Sequence, residues 1–392
     1  MLISRRRFIG SALITSCGAI FGASPPFART TQIKYKASII GRTGGGDYGH
    51  NYDLIFKDIE EVQLVAIADS NPQGLEKAAL RSGALRKYTD YREMLDKEKP
   101  ELVCIAPRHP DCHTPMAIAA SEVALGIFME KPMAESPEEC DKILNAAEKR
   151  NVKIQIAHNR RWTVDFLKVK YLIQQGLIGE VREVNFHGKQ DSRSGGEDLI
   201  VLGTHDFDIM RFYFGDPQWC FATVRSKGKD ITRNDIAKGK EPILVAGDSI
   251  NAMFAFRDNL IINWASIKRN DHWNTNFSRR EKWAFEILGT KGIIAYQSGF
   301  EFGWLNSPFF VHKDSTTYRD LPEPSGFKIE PHNVHPIKNL IHAIENNTQP
   351  MCSGYDGRWT IEMVCAVYQS ERDRTRISFP LKDRRNPLKY WG

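Results

Sequence analysis

The chain has 392 residues, enough for two domains and a substantial core, with 41% hydrophobic and 26% charged residues. That balance, without a low-complexity tract or short-period repeat, excludes a disordered or fibrous protein. Three positive charges of the formal net +6 come from Arg5, Arg6 and Arg7, and what remains is too small to suggest a nucleic-acid surface.

Residues 1–28 read as an export leader. Ser4-Arg5-Arg6-Arg7-Phe8-Ile9 matches the twin-arginine pattern of a polar residue, two arginines, a spacer and two apolar residues. A moderately apolar stretch runs to Phe21, and small residues lead to a cleavage point after Ala28. The stretch is short and broken by Ser, Thr and Gly, which argues against a membrane span. Ile14-Thr15-Ser16-Cys17 also resembles a lipobox, so a lipid anchor through Cys17 stays open. These signals predict export in the folded state by the twin-arginine machinery, a periplasmic or secreted location, and no stable membrane span after processing. Of seven cysteines, six lie beyond the leader at scattered positions without C-x-x-C or metal-type spacing. Neither a disulfide framework nor a metal site is expected.

The predicted elements then run in order. Residues 36–40 form a strand, and Gly41-Arg42-Thr43-Gly44-Gly45-Gly46-Asp47-Tyr48-Gly49-His50 a loop into a helix. Gly44, Gly46 and Gly49 fit G-x-G-x-x-G, but Gly41 directly follows the strand, so the loop is about three residues longer than the compact fingerprint. Such glycines let a backbone approach a pyrophosphate, and a following helix N-terminus offers free N–H groups. A strand at 62–68 ends at Asp69, where a dinucleotide fold places the carboxylate that binds the adenine ribose hydroxyls. Asp69 would repel a 2′-phosphate, which favours NAD over NADP, although Ser70 and Asn71 beside it leave NADP open.

Helices are predicted over 75–80 and 91–96, then a strand over 102–106. In the loop that follows, Pro107 and His113 are candidate neighbours of the cofactor. A helix over 116–123 leads to Gly126-Ile127-Phe128-Met129-Glu130-Lys131-Pro132. The apolar run is a strand buried on both faces, and Pro132 cannot continue a central ladder because it has no N–H. Glu130 and Lys131 are therefore left at the carboxyl end of a strand, where open α/β sheets place their ligands. Ser136-Pro137-Glu138-Glu139 is a helix start, with a capping Ser, Pro in the first turn and acids at the positive end. A strand over 152–157 closes the sheet. The regular alternation predicts an α/β Rossmann domain with a doubly wound parallel sheet over residues 35–158.

After Arg161 the pattern changes. A helix over 164–174 precedes strands at 181–187, 219–224, 250–256, 260–265, 283–288 and 292–296. They predict a mostly antiparallel sheet in an α+β substrate and oligomerisation domain over 159–380, with one sheet face free to wall a ligand site. The stretch from Gly195 through Asp208 to Phe212 reads as one helix between the first two strands. Helices over 337–344 and 359–369 are expected to return and pack on the first domain.

The glycine loop, Glu130-Lys131-Pro132 and the Gly196-to-Asp208 stretch together resemble the glucose–fructose oxidoreductase / inositol dehydrogenase / MocA family, over nearly all of the chain from about Tyr35. The resemblance implies bound NAD or NADP, sugar or polyol substrates, and homo-oligomers that commonly pair through the open sheets. It puts Lys131 beside the nicotinamide and the reacting hydroxyl, with its cation favouring the alkoxide-like oxygen that develops as hydride leaves. It matches His205 to the family's acid/base histidine. Without it, His205 beside Phe207, Ile209 and Met210 reads as a core histidine, and pairing with Lys131 tips the balance to the chemical role. One departure stands out. Many dehydrogenases of the family carry Asp four residues before this histidine, and here that residue is Val201, with neither Asp198 nor Asp206 a clean replacement.

Arg160, Arg161, Asp208, Lys268, Arg269, Asp271, His272, Trp273, Arg279 and Arg280 supply donors and a stacking face suited to hydroxylated or carboxylated sugars. The leading reading is an exported NAD(P)-dependent oxidoreductase of a sugar, polyol or sugar derivative that holds its cofactor tightly. A redox-neutral, NAD-using glycoside-cleaving enzyme is the alternative. A non-catalytic sugar or nucleotide binder is a third, disfavoured by the presence of both Lys131 and His205.

Overall fold

Parallel pairing of short apolar strands builds the first sheet. The structure, a computed structural model, describes residues 33–189, 192–268, 284–297, 302–305 and 319–391, so the expected leader lies outside the described residues. The elements are β1 (Tyr35–Ile40), β2 (Val62–Ala68), α1 (Pro72–Ser82), β3 (Arg86–Tyr88), α2 (Tyr91–Glu98), β4 (Leu102–Ile105), α3 (His113–Ser121), β5 (Gly126–Met129), α4 (Pro137–Glu148) and β6 (Lys153–Ile156). Their order is β3-β2-β1-β4-β5-β6 and every pairing is parallel. Strands β4, β5 and β6 are buried throughout, as sequences flanked by helices on both faces must be. Strand order reverses between β1 and β4, and the crevice beyond their carboxyl ends is where such a sheet takes a ligand. Side-chain caps fix the helix starts: Asn71 accepts from the Gly74 amide before α1, and Ser136 from the Glu139 amide before α4.

One expectation is corrected. No α-helix follows the glycine loop among the described residues; between β1 and β2 there are turns and a single 3-10 turn, Tyr52–Leu54. Left-handed backbone at Asp47, Asn51 and Asp58, besides the glycines, interrupts any right-handed run long enough to form one.

The second part comprises α5 (Val164–Gln174), β7 (Val181–His187), α6 (Gly196–Val201), α7 (Gly203–Phe214), β8 (Trp219–Ser226), β9 (Ser249–Ala255), β10 (Ile261–Ile267), β11 (Ala284–Gly289) and β12 (Ile293–Gln297). In the order β12-β11-β7-β10-β9-β8 they form a sheet that is antiparallel except between β7 and β10, with short strands extending both edges. Along β10, buried and half-buried residues alternate, so Ile262, Trp264 and Ser266 face the core. The helix expected through Gly195 to Phe212 is two helices, with the break at Leu202. Helix α8 (Pro336–Glu345) packs on β5 and β6, and α9 (Gly354–Asp373) on α4 and β6. Ile33 onward is a single compact unit, so the end of β5 and the start of α7 hold fixed places relative to one another.

Candidate active site

The crevice begins at the glycine loop. Gly46 has φ +93, and a Cβ there would lie 2.4 Å from the Arg108 amide nitrogen; at Gly49, with φ +59, it would lie 2.5 Å from the Ala106 carbonyl. Only glycine fits this loop so close to the end of β4. The amides of Gly46, Tyr48 and His50 find no acceptor among the described residues. Unpartnered amides in successive turns are the donor set a pyrophosphate takes, so the loop fits a dinucleotide without the helix N-terminus that the sequence suggests. Gly41 and Gly44 lie in the same loop.

Asp69 closes β2 as expected, and the loop already engages it. Its carboxylate accepts from the Thr43 amide at 2.9 Å, the Thr43 hydroxyl at 2.6 Å and the Asn71 amide at 2.9 Å. Thr43 therefore binds the carboxylate expected to serve the ribose.

At the end of β5, Glu130 and Lys131 are buried. One Glu130 oxygen accepts from the Lys131 amide at 2.6 Å and the other meets His50 Nδ1. The peptide between Lys131 and Pro132 is cis. His113, fully buried, ties this segment to the β4 loop: Nδ1 lies 2.9 Å from the Pro132 carbonyl and Nε2 2.7 Å from the Pro107 carbonyl. His113 thus joins Pro107 to the residue that follows Lys131. The Lys131 ammonium donates to the Val201 carbonyl at 3.1 Å. Val201 ends α6, and carbonyls of a last turn lack helical partners. The residue that replaces the family's acid therefore still receives the lysine, through its backbone.

Behind β6, His158, Arg160 and Arg161 face α7. Arg161 donates to both oxygens of Asp208, at 2.8 and 2.7 Å, to the Met351 carbonyl at 2.6 Å and to Asp356 at 3.2 Å. Arg211 reaches the same Asp356 oxygen at 2.8 Å. Burial alone would lower the Arg161 pKa, but the carboxylates of Asp208 and Asp356 raise it. Burial alone would raise the Asp356 pKa, but Arg161 and Arg211 hold it down at about 2. Arg161 and Asp208, read from the sequence as substrate contacts, are committed to this buried network. Arg160 pairs with Asp206 at 3.2 Å, and the other Asp206 oxygen takes the Trp264 indole N–H at 2.8 Å. Asp198 accepts from Ser266 and from the Lys189 amide. His272 and Trp273, with Arg269, Asp271, Arg279 and Arg280, lie outside the described residues.

His205, on the first turn of α7, meets a residue that sequence reasoning passes over. Its Nδ1 lies 3.5 Å from Nδ1 of His158, with the rings edge to face at 5.2 Å. Burial, then Arg160, Lys131, His158 and His50, hold the His205 pKa well below the usual value. Burial pulls His158 down to about 4. Both rings are neutral at pH 7, so the site holds a neutral imidazole and an ammonium on facing elements, able respectively to take a hydroxyl proton and to stabilise the oxygen left behind. The signal for His158 was its place, directly after an apolar strand at the carboxyl edge of the sheet. His50 lies in the quoted glycine loop, but nothing in its spacing marked it.

Two family models cover more than half of the chain between them. An oxidoreductase family with an NAD-binding Rossmann fold matches residues 36–158, and the GFO/IDH/MocA C-terminal domain matches residues 166–295. A D-apiose dehydrogenase of Paraburkholderia graminis is 25% identical over 369 residues, which span 88% of this chain and 90% of that protein. A myo-inositol 2-dehydrogenase of Thermotoga maritima is 21% identical over 360 residues, 86% and 97% of the two chains. The structure of a levoglucosan dehydrogenase in complex with NADH and L-sorbose superposes with a TM-score of 0.71 at 21% identity, covering 90% of this chain and 100% of that one. The fold, the glycine loop at the switch point and these matches agree: the chain belongs to the GFO/IDH/MocA family of NAD-dependent oxidoreductases.

Proposed function

We propose that the protein is an exported dehydrogenase of a sugar, polyol or sugar derivative, in which Lys131 and His205 manage the proton of the reacting hydroxyl. The observation that carries this reading is the placing of the Lys131 ammonium at the end of β5, across from a neutral His205 on α7. NAD, when bound, supplies the hydride acceptor. Lys131 has three donors and gives one to the Val201 carbonyl, which leaves others for the substrate oxygen. Charge growing on that oxygen is stabilised by the fixed cation, while His205 takes the proton. The names of the curated relatives, all sugar or polyol dehydrogenases among those above, support the substrate class. Asp69 supports NAD over NADP through the ribose hydroxyls, and Arg160 is a described substrate candidate whose charge acts on the histidine.

The Ser4–Ile9 signal supports export. Little free NAD is expected outside the cytoplasm, so an exported enzyme needs a slow cofactor off-rate and a second half-reaction that restores the cofactor in place. Val201 supports a second reading. Without the usual acid, transient oxidation of a sugar hydroxyl can acidify the neighbouring C–H, allow the aglycone to leave, and return the hydride, with no net redox change. The test is protein recovered from the periplasm, dialysed, and assayed on sugars, polyols and glycosides with and without added NAD. Retained nucleotide with turnover lacking added NAD is expected. Rapid nucleotide loss with equimolar NADH release would defeat cofactor retention, aglycone release without NADH would select the second reading, and inactivity on every class would defeat both.

A further inference from the structure

The proton that His205 takes up must be matched by a defined state of its other ring nitrogen, because a neutral imidazole carries one N–H and one lone pair. Nδ1 of His205 faces Nδ1 of His158 at 3.5 Å. Among the described residues, the other side chains that act on His205 include Arg160 before α5, Lys131 after β5 and His50 in the glycine loop. The nearby carboxylates are engaged elsewhere, Asp206 by Arg160 and Trp264, and Asp208 by Arg161. His158 is fully buried, and its Nε2 has no partner among the described residues. The charged groups facing His158 are Asp208 on α7, Arg161, Lys131, and Asp356 on α9.

We propose that His158 is a positioning residue for His205: its Nδ1 lone pair accepts the Nδ1–H of His205 and so leaves Nε2 of His205 as the base. The inference rests on the dehydrogenase reading and deepens it. The alternative arrangement, with His158 donating, would put the His205 proton on Nε2 and remove the base. When Nε2 takes the hydroxyl proton, the charge on the ring makes Nδ1–H a stronger donor, and the contact with His158 shortens as catalytic hydrogen bonds do on going from the free to the reacting site. His158 thereby supplies part of what an acid at position 201 would supply. The cost is a buried N–H on His158 Nε2 with no acceptor, and such unpaired groups persist at functional sites.

His158→Phe keeps a ring but removes the acceptor, and His158→Asn keeps an acceptor near the Nδ1 position. In H158F, kcat is expected to fall about ten- to a hundredfold, with KM and bound nucleotide little changed. Above about pH 4 His158 is neutral and acts on His205 as an acceptor, not as a cation; without that acceptor the His205 imidazolium is less stabilised, so the low-pH limb of kcat/KM should move to lower pH, and H158N should recover most of both effects. A wild-type rate and profile in H158F would overturn the proposal, as would equal damage in a folded, nucleotide-loaded H158N. Nitrogen NMR of the wild-type enzyme decides the matter if H158F does not fold. Protonated His205 Nδ1 with protonated His158 Nε2 is expected, and the opposite tautomers would overturn it. Wild-type turnover in His205→Ala would instead defeat the dehydrogenase roles on which the proposal stands.

Discussion

Helix α7 carries two different electrostatic settings within one turn. At Asp208 the carboxylate meets Arg161, which meets Asp356, which meets Arg211, so every charge has an opposite beside it. At His205 the charged side chains that act on the ring are Arg160 and Lys131, with the neutral His158 beside them. The balanced cluster joins α7 to the β6 loop and the start of α9, and its sum is a fixed geometry. The unbalanced one holds an imidazole neutral beside a cation, which is costly in a fold and useful in proton transfer. Residues so similar in the sequence differ here because of what stands opposite them.

The largest expected effect breaks the balanced side. Asp208→Ala takes the bidentate partner from the buried Arg161 guanidinium and leaves it Asp356 as its carboxylate, and removing one partner of a buried pair costs about 3–5 kcal/mol. The urea midpoint should drop accordingly, while replacing Arg161 and Asp208 together by apolar residues of similar volume should be far milder. A single variant with a wild-type midpoint that lost only activity would place Asp208 in the chemistry and erase the distinction. On the unbalanced side the expectation reverses. Lys131→Ala and His205→Ala should each lower turnover by about a hundredfold or more, with urea midpoints near wild type and nucleotide retained. Near wild-type turnover in either would remove that residue from the mechanism.

Asp69 tests the other end of the crevice. Removing hydrogen bonds to a charged acceptor costs about 1.5–3 kcal/mol, and Asp69→Ala should weaken NAD much more than NADP because repulsion of a 2′-phosphate goes with it. The loop contact from Thr43 adds a control, since Thr43→Val should loosen the loop for both nucleotides alike. Equal losses for NAD and NADP in the Asp69 variant would end the ribose assignment.

The sheet of the first domain was legible because buried parallel strands read as apolar runs and their helices begin with caps, as at Ser136 and Asn71. Lys131 was legible because Pro132 marks the end of a strand. Other features lay beyond any reading of residue types. The helix expected after Gly49 is absent because Asp47 and Asn51 adopt left-handed backbone, which their side chains permit but do not announce. The partner of Lys131 is the carbonyl of Val201, and a carbonyl belongs to every residue. The pairing of Arg161 with Asp208 was not legible, because the sequence shows charge without showing its counter-charge. His158 went unread for the opposite reason: its partner is another histidine 47 positions away.

The smallest effect separates the two clusters by pH. His113 and His158 are buried and His205 is half-buried, and all three have pKa values below the ordinary value of 6.5, chiefly because their removal from water disfavours the charged ring. In the unfolded chain each binds a proton near pH 6.5, whereas the folded chain must wait for lower pH, to about 4 for His158. Between those values the unfolded state holds more protons, so stability is full above about pH 6.5 and is lost as pH falls towards the folded values. The Arg161 cluster has no part in this window, because Asp356, ordinarily titrating at 3.8, is held down at about 2. The unfolding free energy should therefore decline from pH 7 to pH 5 with a slope set by the histidines, each approaching one proton. In His158→Asn that decline should be shallower by nearly one proton, with the Arg161 cluster intact. A slope equal to that of the wild type would mean that His158 is solvated or charged in the folded protein, and the contrast between the two ends of α7 would lose its electrostatic basis.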